Sequence, residues 1–137
     1  MRRKHNIPDP LWRAMTYAKK VDEARQAYYT LYDRLVGLSP PAGGVRVSST
    51  PNHDKFASLP IYEERWHDYK RKYDRAVRQA SAIIEQIPDD RYQGILTHRY
   101  IEALTPQDSA QAMNYSVDWE RHLHNEALEA FRRIWKG

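Results

Sequence analysis

The chain has 137 residues, with 22 Lys and Arg against 18 Asp and Glu, a formal net charge of +4, 41% hydrophobic residues and no cysteine. This length points to one domain, or one domain with an extension, and the absent thiols exclude disulfides, thiolate metal sites and cysteine nucleophiles. The five glycines form no phosphate-cradling loop, and no apolar run approaches the ~20 residues that cross a bilayer.

Reading from the front, Met1-Arg2-Arg3-Lys4-His5 is basic. No apolar stretch follows it, so it does not read as a signal peptide, and no membrane partner is expected. Asp9 can cap a helix with Pro10 at its first position. Val21, Ala24, Tyr28, Leu31, Leu35 and Leu38 then alternate steps of three and four, a heptad seam, with Gly37 as its stop. Residues 1–36 are thus a basic arm and a first long helix.

Residues 37–60 change character. Ser39-Pro40-Pro41-Ala42-Gly43-Gly44 and Ser48-Ser49-Thr50-Pro51-Asn52 are turn and breaker signals, so a flexible loop is expected, with Val45-Arg46-Val47 as a short extended piece.

Over 61–88 the helical signal returns, with Glu63 and Glu64 in the first turn, where the helix dipole favours acids. Tyr62, Trp66, Tyr69, Tyr73, Ala76, Ala80, Ile83 and Ile87 alternate steps of four and three without error, and Pro88 ends the run. Two heptad helices joined by one loop predict an antiparallel hairpin. The modest supply of Leu, Ile and Val beside ten tyrosines predicts a homo-oligomer, a dimer first, built on those seams.

Residues 89–137 predict short helices. Asp90 is the expected first cap, with Gln93 completing a capping box, and Tyr92, Ile95, Leu96, Tyr100, Ala103 and Leu104 form the apolar face. Thr105-Pro106-Gln107-Asp108 starts a second helix that ends near Met113. Asn114 suits a left-handed turn, and Ser116 caps a final helix with Leu123, Ala127, Phe131 and Ile134 inward. A short helix, a turn of about three residues and a second capped helix, with the small Ala110 where the two approach, is the layout of a helix-turn-helix.

Leu96-Thr97-His98-Arg99-Tyr100-Ile101, then Ala110, Asn114-Tyr115-Ser116, Trp119, Leu123-His124 and Ala127-Leu128 resemble small phage and prophage proteins whose C-terminal domain is similar to region four of sigma factors. Arg46-Val47-Ser48-Ser49, Asp54-Lys55 and the charged helix 61–87 are similar to that family's loop and long helix, so the resemblance covers about residues 45–134. It implies a phage- or prophage-encoded regulator of transcription, cytoplasmic in a bacterial host, with double-stranded DNA as partner and RNA polymerase as a second. This chain departs from the family's pattern at three places. Asn114 replaces a glycine, Glu120 takes a usually apolar position, and Asp118 sets an acid at the front of the recognition helix.

On a helix that enters the major groove, the first turns reach base edges. Arg121, His122 and Asn125 are the expected readers there, with Val117 against a thymine methyl. Thr105 and Gln107 are expected to hold a phosphate at the start of the preceding helix, and Arg99 another. Arg2, Arg3 and Lys4 would track the backbone or a minor groove. The bland reading of Arg121 and Asn125 is a solvated helix face, Arg121 pairing with Asp118 or Glu126. Trp119 is expected to pack on Tyr115 and the first helix of the motif, and His124 to be a packed, hydrogen-bonded residue.

Enzymatic signals are absent. His122 and His124 point about 200° apart on a helix and cannot easily share an ion. His53-Asp54 and His67-Asp68 lack companions at usable spacing. No metal, cofactor or catalytic residue is expected. The fold class is all-α, a long helical hairpin followed by a sigma-region-four-like helix-turn-helix bundle. The leading function is DNA binding in transcription. The alternatives are a phage DNA-packaging oligomer and a helical protein-interaction module that ignores DNA, with Asp118 and Glu120 turned to a basic partner. Charge bears on this choice. Residues 1–36 carry eight basic and four acidic side chains, whereas 91–137 are neutral overall.

Overall fold

The structure, a computed structural model, describes residues 6–37 and 56–136. These residues are all-α: α1 (Asp9–Gly37), α2 (Leu59–Ile84), α3 (Asp90–Leu96), a π-helical turn (Thr97–Ile101), α4 (Pro106–Ala112) and α5 (Val117–Ile134). The basic arm Arg2-Arg3-Lys4 and most of the expected loop 37–60, Leu38 and Val45–Val47 included, lie outside the described residues.

α1 and α2 pack along each other as an antiparallel pair. Tyr17 meets Tyr69 at 6.4 Å between ring centroids, while Tyr28, eleven residues later, meets Trp66 at 5.7 Å. The expected seams face inward. Ala24 and Leu35 are buried on α1, Ala76 and Ala80 on α2, and the seam tyrosines are half-buried. One of the two hairpin ends differs from expectation. α1 runs to Gly37, the residue expected at its end, and a Cβ there would meet nothing within 4 Å. α2 ends at Ile84, four residues before Pro88, in a tightened turn where Gln86 N–H donates to Ile83 O and Ile87 N–H to Ile84 O. That turn lets Ile84 and Ile87 both enter the core, with Ile83 only partly buried.

The start of α1 adds a segment that the heptad reading leaves out. Pro8, Pro10, Leu11 and Ala14 are buried. Leu11 and Ala14 share one apolar cluster with Ala80, Ile84, Leu96, Tyr100, Ala127 and Phe131. The open end of the hairpin and the C-terminal helices therefore bury their apolar faces against each other. Polar contacts fasten the same junction. Tyr73 Oη donates to Ile101 O at 2.7 Å, and the Arg132 guanidinium donates to Asn6 O.

α3 is capped by Asp89 rather than Asp90. The Asp89 carboxylate accepts from Arg91 N–H at 2.8 Å, and Asp90 is the first helical residue, where an acid suits the dipole. Gln93 does not close a capping box, because its side-chain amide donates to Ile87 O at 2.6 Å. The expected single helix over 90–104 widens after Leu96. Glu102 N–H donates to Thr97 O, five residues back, at 2.9 Å, and Leu104 N–H reaches His98 O at 2.9 Å. That closing bond spans one residue more than an ordinary left-handed helix end. Ala103 provides the reversal at φ 57°, a conformation that costs a non-glycine residue about 1–2 kcal/mol.

Candidate nucleic-acid interface

Each junction of the C-terminal motif is specified by its own sequence. Thr105 Oγ1 accepts from Asp108 N–H at 3.1 Å, and Pro106 takes the first helical position of α4. α4 ends in a left-handed Asn114 at φ 59°, with Tyr115 N–H donating to Ala110 O at 2.8 Å and Asn114 N–H to Gln111 O at 3.2 Å. This is the double bond pattern of a Schellman end, made here without glycine. Ser116 Oγ then accepts from Trp119 N–H at 3.1 Å and starts α5. Ala110 is 2% exposed, as the close approach of two helices requires.

Along α5, Glu120, Leu123, His124, Ala127, Leu128 and Phe131 are buried, and Ile134 is partly so. The opposite stripe carries Asp118, Trp119, Arg121, His122, Asn125 and Glu129, all exposed. Among the described residues no hydrogen bond or ion pair joins Arg121 or Asn125 to another side chain. The pairing of Arg121 with Glu126 does not form, because Glu126 is already engaged. Its carboxylate accepts from Tyr92 Oη at 2.7 Å and meets His122 Nε2 at 3.1 Å. His122 is further held by Trp119, whose ring stacks on it with centroids 5.1 Å apart and 24° between planes. Trp119 thus stands 43% exposed over His122.

The other expected contacts fall in different places. Val117 is half-buried at the first turn of α5, and Gln107 is exposed on α4. Thr105 is exposed, with its hydroxyl committed to the cap. Arg99 is not aimed outward. Its side chain is 15% exposed, and its Nε lies 3.3 Å from the Glu120 carboxylate, which is fully buried. Glu120 consequently cannot present an acidic surface beside Asp118.

Behind this pair, Tyr100 Oη and His124 Nε2 are hydrogen-bonded at 2.6 Å with their rings stacked. Burial, reinforced by the nearby Arg99 and Arg132 cations, lowers the His124 pKa to about 4. Burial raises that of the Tyr100 phenol to about 12. Both groups are therefore neutral near pH 7 and serve as packed polar links. The inward register of Glu120 is visible in sequence, one turn before Leu123 and His124. The identity of its partner depends on the widened turn, which carries no sequence signal of its own.

No cluster of His, Asp or Glu able to hold a metal ion occurs among the described residues, and no helix there is long and apolar enough to cross a membrane. No protein-family model, curated protein or solved structure matches the chain.

Proposed function

We propose that this protein binds double-stranded DNA through α5 and acts as a transcriptional regulator of the phage or prophage kind that the C-terminal motif resembles. One observation carries the reading. A short capped helix, a left-handed Asn114 turn and a second capped helix leave Arg121 and Asn125 exposed and unengaged on the first turns of α5. Arginine reads guanine and asparagine reads adenine by paired hydrogen bonds in the major groove. His122, held by Glu126 and Trp119, is a weaker reader, and Arg99 leaves the set because it lies largely buried beside Glu120 and off the exposed stripe of α5. On this reading the protein works in the bacterial cytoplasm, with RNA polymerase as a second partner and no cofactor.

The test is fluorescence anisotropy of a labelled random duplex at about 50 and 200 mM salt, with Arg121→Ala alongside. The reading expects binding that falls steeply with salt, and a variant weakened by roughly tenfold or more. Absence of binding by the folded wild type at the lower salt would overturn it and leave the helix-turn-helix as a scaffold.

A second reading, self-association of the hairpin, is favoured by its far end. Tyr29, Tyr32, Val36 and Ile61 are 42–58% exposed there, next to the half-buried Trp66. Clustered apolar groups of this kind mark interaction surfaces. Light scattering on the eluting protein separates the cases. A dimer fits the regulator, a ring-sized oligomer fits a packaging role, and a monomer at all concentrations removes this second reading.

A further inference from the structure

A cavity of about 380 Å³ opens where the start of α1, the π-helical turn and α5 converge, within the range of small-ligand sites. Its lining divides by chemistry. Ile7, Met15 and Leu104 offer apolar surface, whereas Arg99 and Lys19 bring two cations. Glu120 is not part of the lining. It is fully buried, 3.3 Å from Arg99 Nε.

The Arg99–Glu120 pair is also incompletely satisfied. Arg99 Nε and both Glu120 carboxylate oxygens are buried without a hydrogen-bond partner, since their 3.3 Å approach lacks hydrogen-bond geometry. A guanidinium has five N–H donors, and none is spent on a hydrogen bond among the described residues. Buried polar groups are ordinarily paired, so such a set calls for an explanation; its Glu120 oxygens are acceptors, and the donors left to a ligand are the Arg99 Nη groups, which are not among the buried orphans. The backbone beside it is equally irregular. The π-helical turn supplies Arg99, and Ala103, which also lines the cavity, stands at φ 57°. Widened turns and left-handed non-glycine residues concentrate at ligand sites.

We propose that this cavity binds a small organic carboxylate with a compact apolar body. Its carboxylate lies between Arg99 and Lys19, taking the paired N–H groups that a guanidinium offers in a fork. Its apolar part rests on Ile7, Met15 and Leu104. Occupancy would join α1 to the turn that precedes the helix-turn-helix. The proposal is independent of DNA binding, because neither Arg121 nor Asn125 lines the cavity.

The test titrates the full chain, labelled with ¹⁵N, with benzoate, and uses benzyl alcohol as an uncharged aromatic of similar size. Calorimetry runs in parallel at fixed salt. Benzoate is expected to bind with a dissociation constant of about 1 mM or tighter, as befits so small a ligand. Its shift changes should centre on Lys19, Arg99, Leu104 and His124, and benzyl alcohol should bind at least fivefold more weakly. Lys19→Gln, at an exposed position that leaves the core intact, should weaken benzoate about threefold to tenfold. Met15→Trp should fill the cavity and abolish binding. Should Met15→Trp not fold, Lys19→Gln and the benzyl alcohol comparison decide. The proposal is overturned by absence of binding at about 20 mM, by equal binding of benzyl alcohol, by shifts scattered over surface cations, or by unchanged affinity in Lys19→Gln.

Discussion

His124 should make the stability of this protein depend on pH in a calculable way. Unfolded, its imidazole titrates near the ordinary value of 6.5. In the native state burial holds it at about 4, so it stays neutral through the weakly acidic range. The folded value lies below the unfolded one, so protons favour the unfolded chain. The contribution is therefore complete above about pH 6.5, is lost as pH falls towards 4, and declines no further below that. Linkage puts the loss at about 2 kcal/mol between pH 7 and pH 5, and about 3 kcal/mol by pH 4. With a urea slope of about 1.5 kcal/mol per molar, the midpoint should drop by roughly 1.3 M over the first interval. The assay is urea unfolding followed by circular dichroism from pH 7.5 to 4.5, with His124→Gln beside the wild type. Gln keeps a polar group near Tyr100 Oη but does not titrate. Its midpoint starts lower but should fall less, and the difference in slope isolates His124 from other groups. Parallel curves for the two proteins would refute the reasoning.

Substitutions at the Arg99–Glu120 pair and at Asn114 test the packing of the motif. Glu120→Gln or Arg99→Met alone leaves one buried charge unpaired and should cost about 3–5 kcal/mol. With the Glu120→Leu single added, Arg99→Met with Glu120→Leu should recover most of that loss in a double-mutant cycle, and strict additivity of the Arg99→Met and Glu120→Leu singles would show that the pair is not coupled. Asn114→Ala places a methyl in the left-handed region and should cost about 1–2 kcal/mol. Asn114→Gly should stay within a few tenths of wild type, so equal urea midpoints for Ala and Gly would count against the turn described here.

Much of the fold is legible in the sequence because it is written in local codes. Periodicity places both hairpin helices and identifies the residues that turn inward. Side-chain chemistry marks the starts at Thr105 and Ser116 and the reversal at Asn114, since each is settled within four residues of chain. The departures from expectation have two origins, one local and one tertiary. Asp89 and Asp90 are equally good caps by composition, and only the bond to Arg91 N–H distinguishes them. Pro88 marks the latest possible end of α2 and not its actual end, because the tightened turn before it depends on burying Ile84 and Ile87 together.

The candidate site divides along the same line. Exposure of Arg121, His122 and Asn125 follows from the register of α5, and the sequence determines that register through Ser116, Leu123, Ala127 and Phe131. Which of those side chains stays unengaged is a tertiary matter. It depends on Tyr92, from another helix, anchoring Glu126, and on Trp119 closing over His122. Arg99 reads as a surface cation until Glu120, 21 positions on, is brought beside it. The phase of the long helices and the caps at Thr105 and Ser116 rest on contacts of short sequence separation, so the sequence alone decides them, whereas the π-helical turn and the end of α2 are set by tertiary packing. Charge pairing, the cavity over Arg99 and the neutral Tyr100–His124 link need elements that meet only when the hairpin and the C-terminal helices bury one common core.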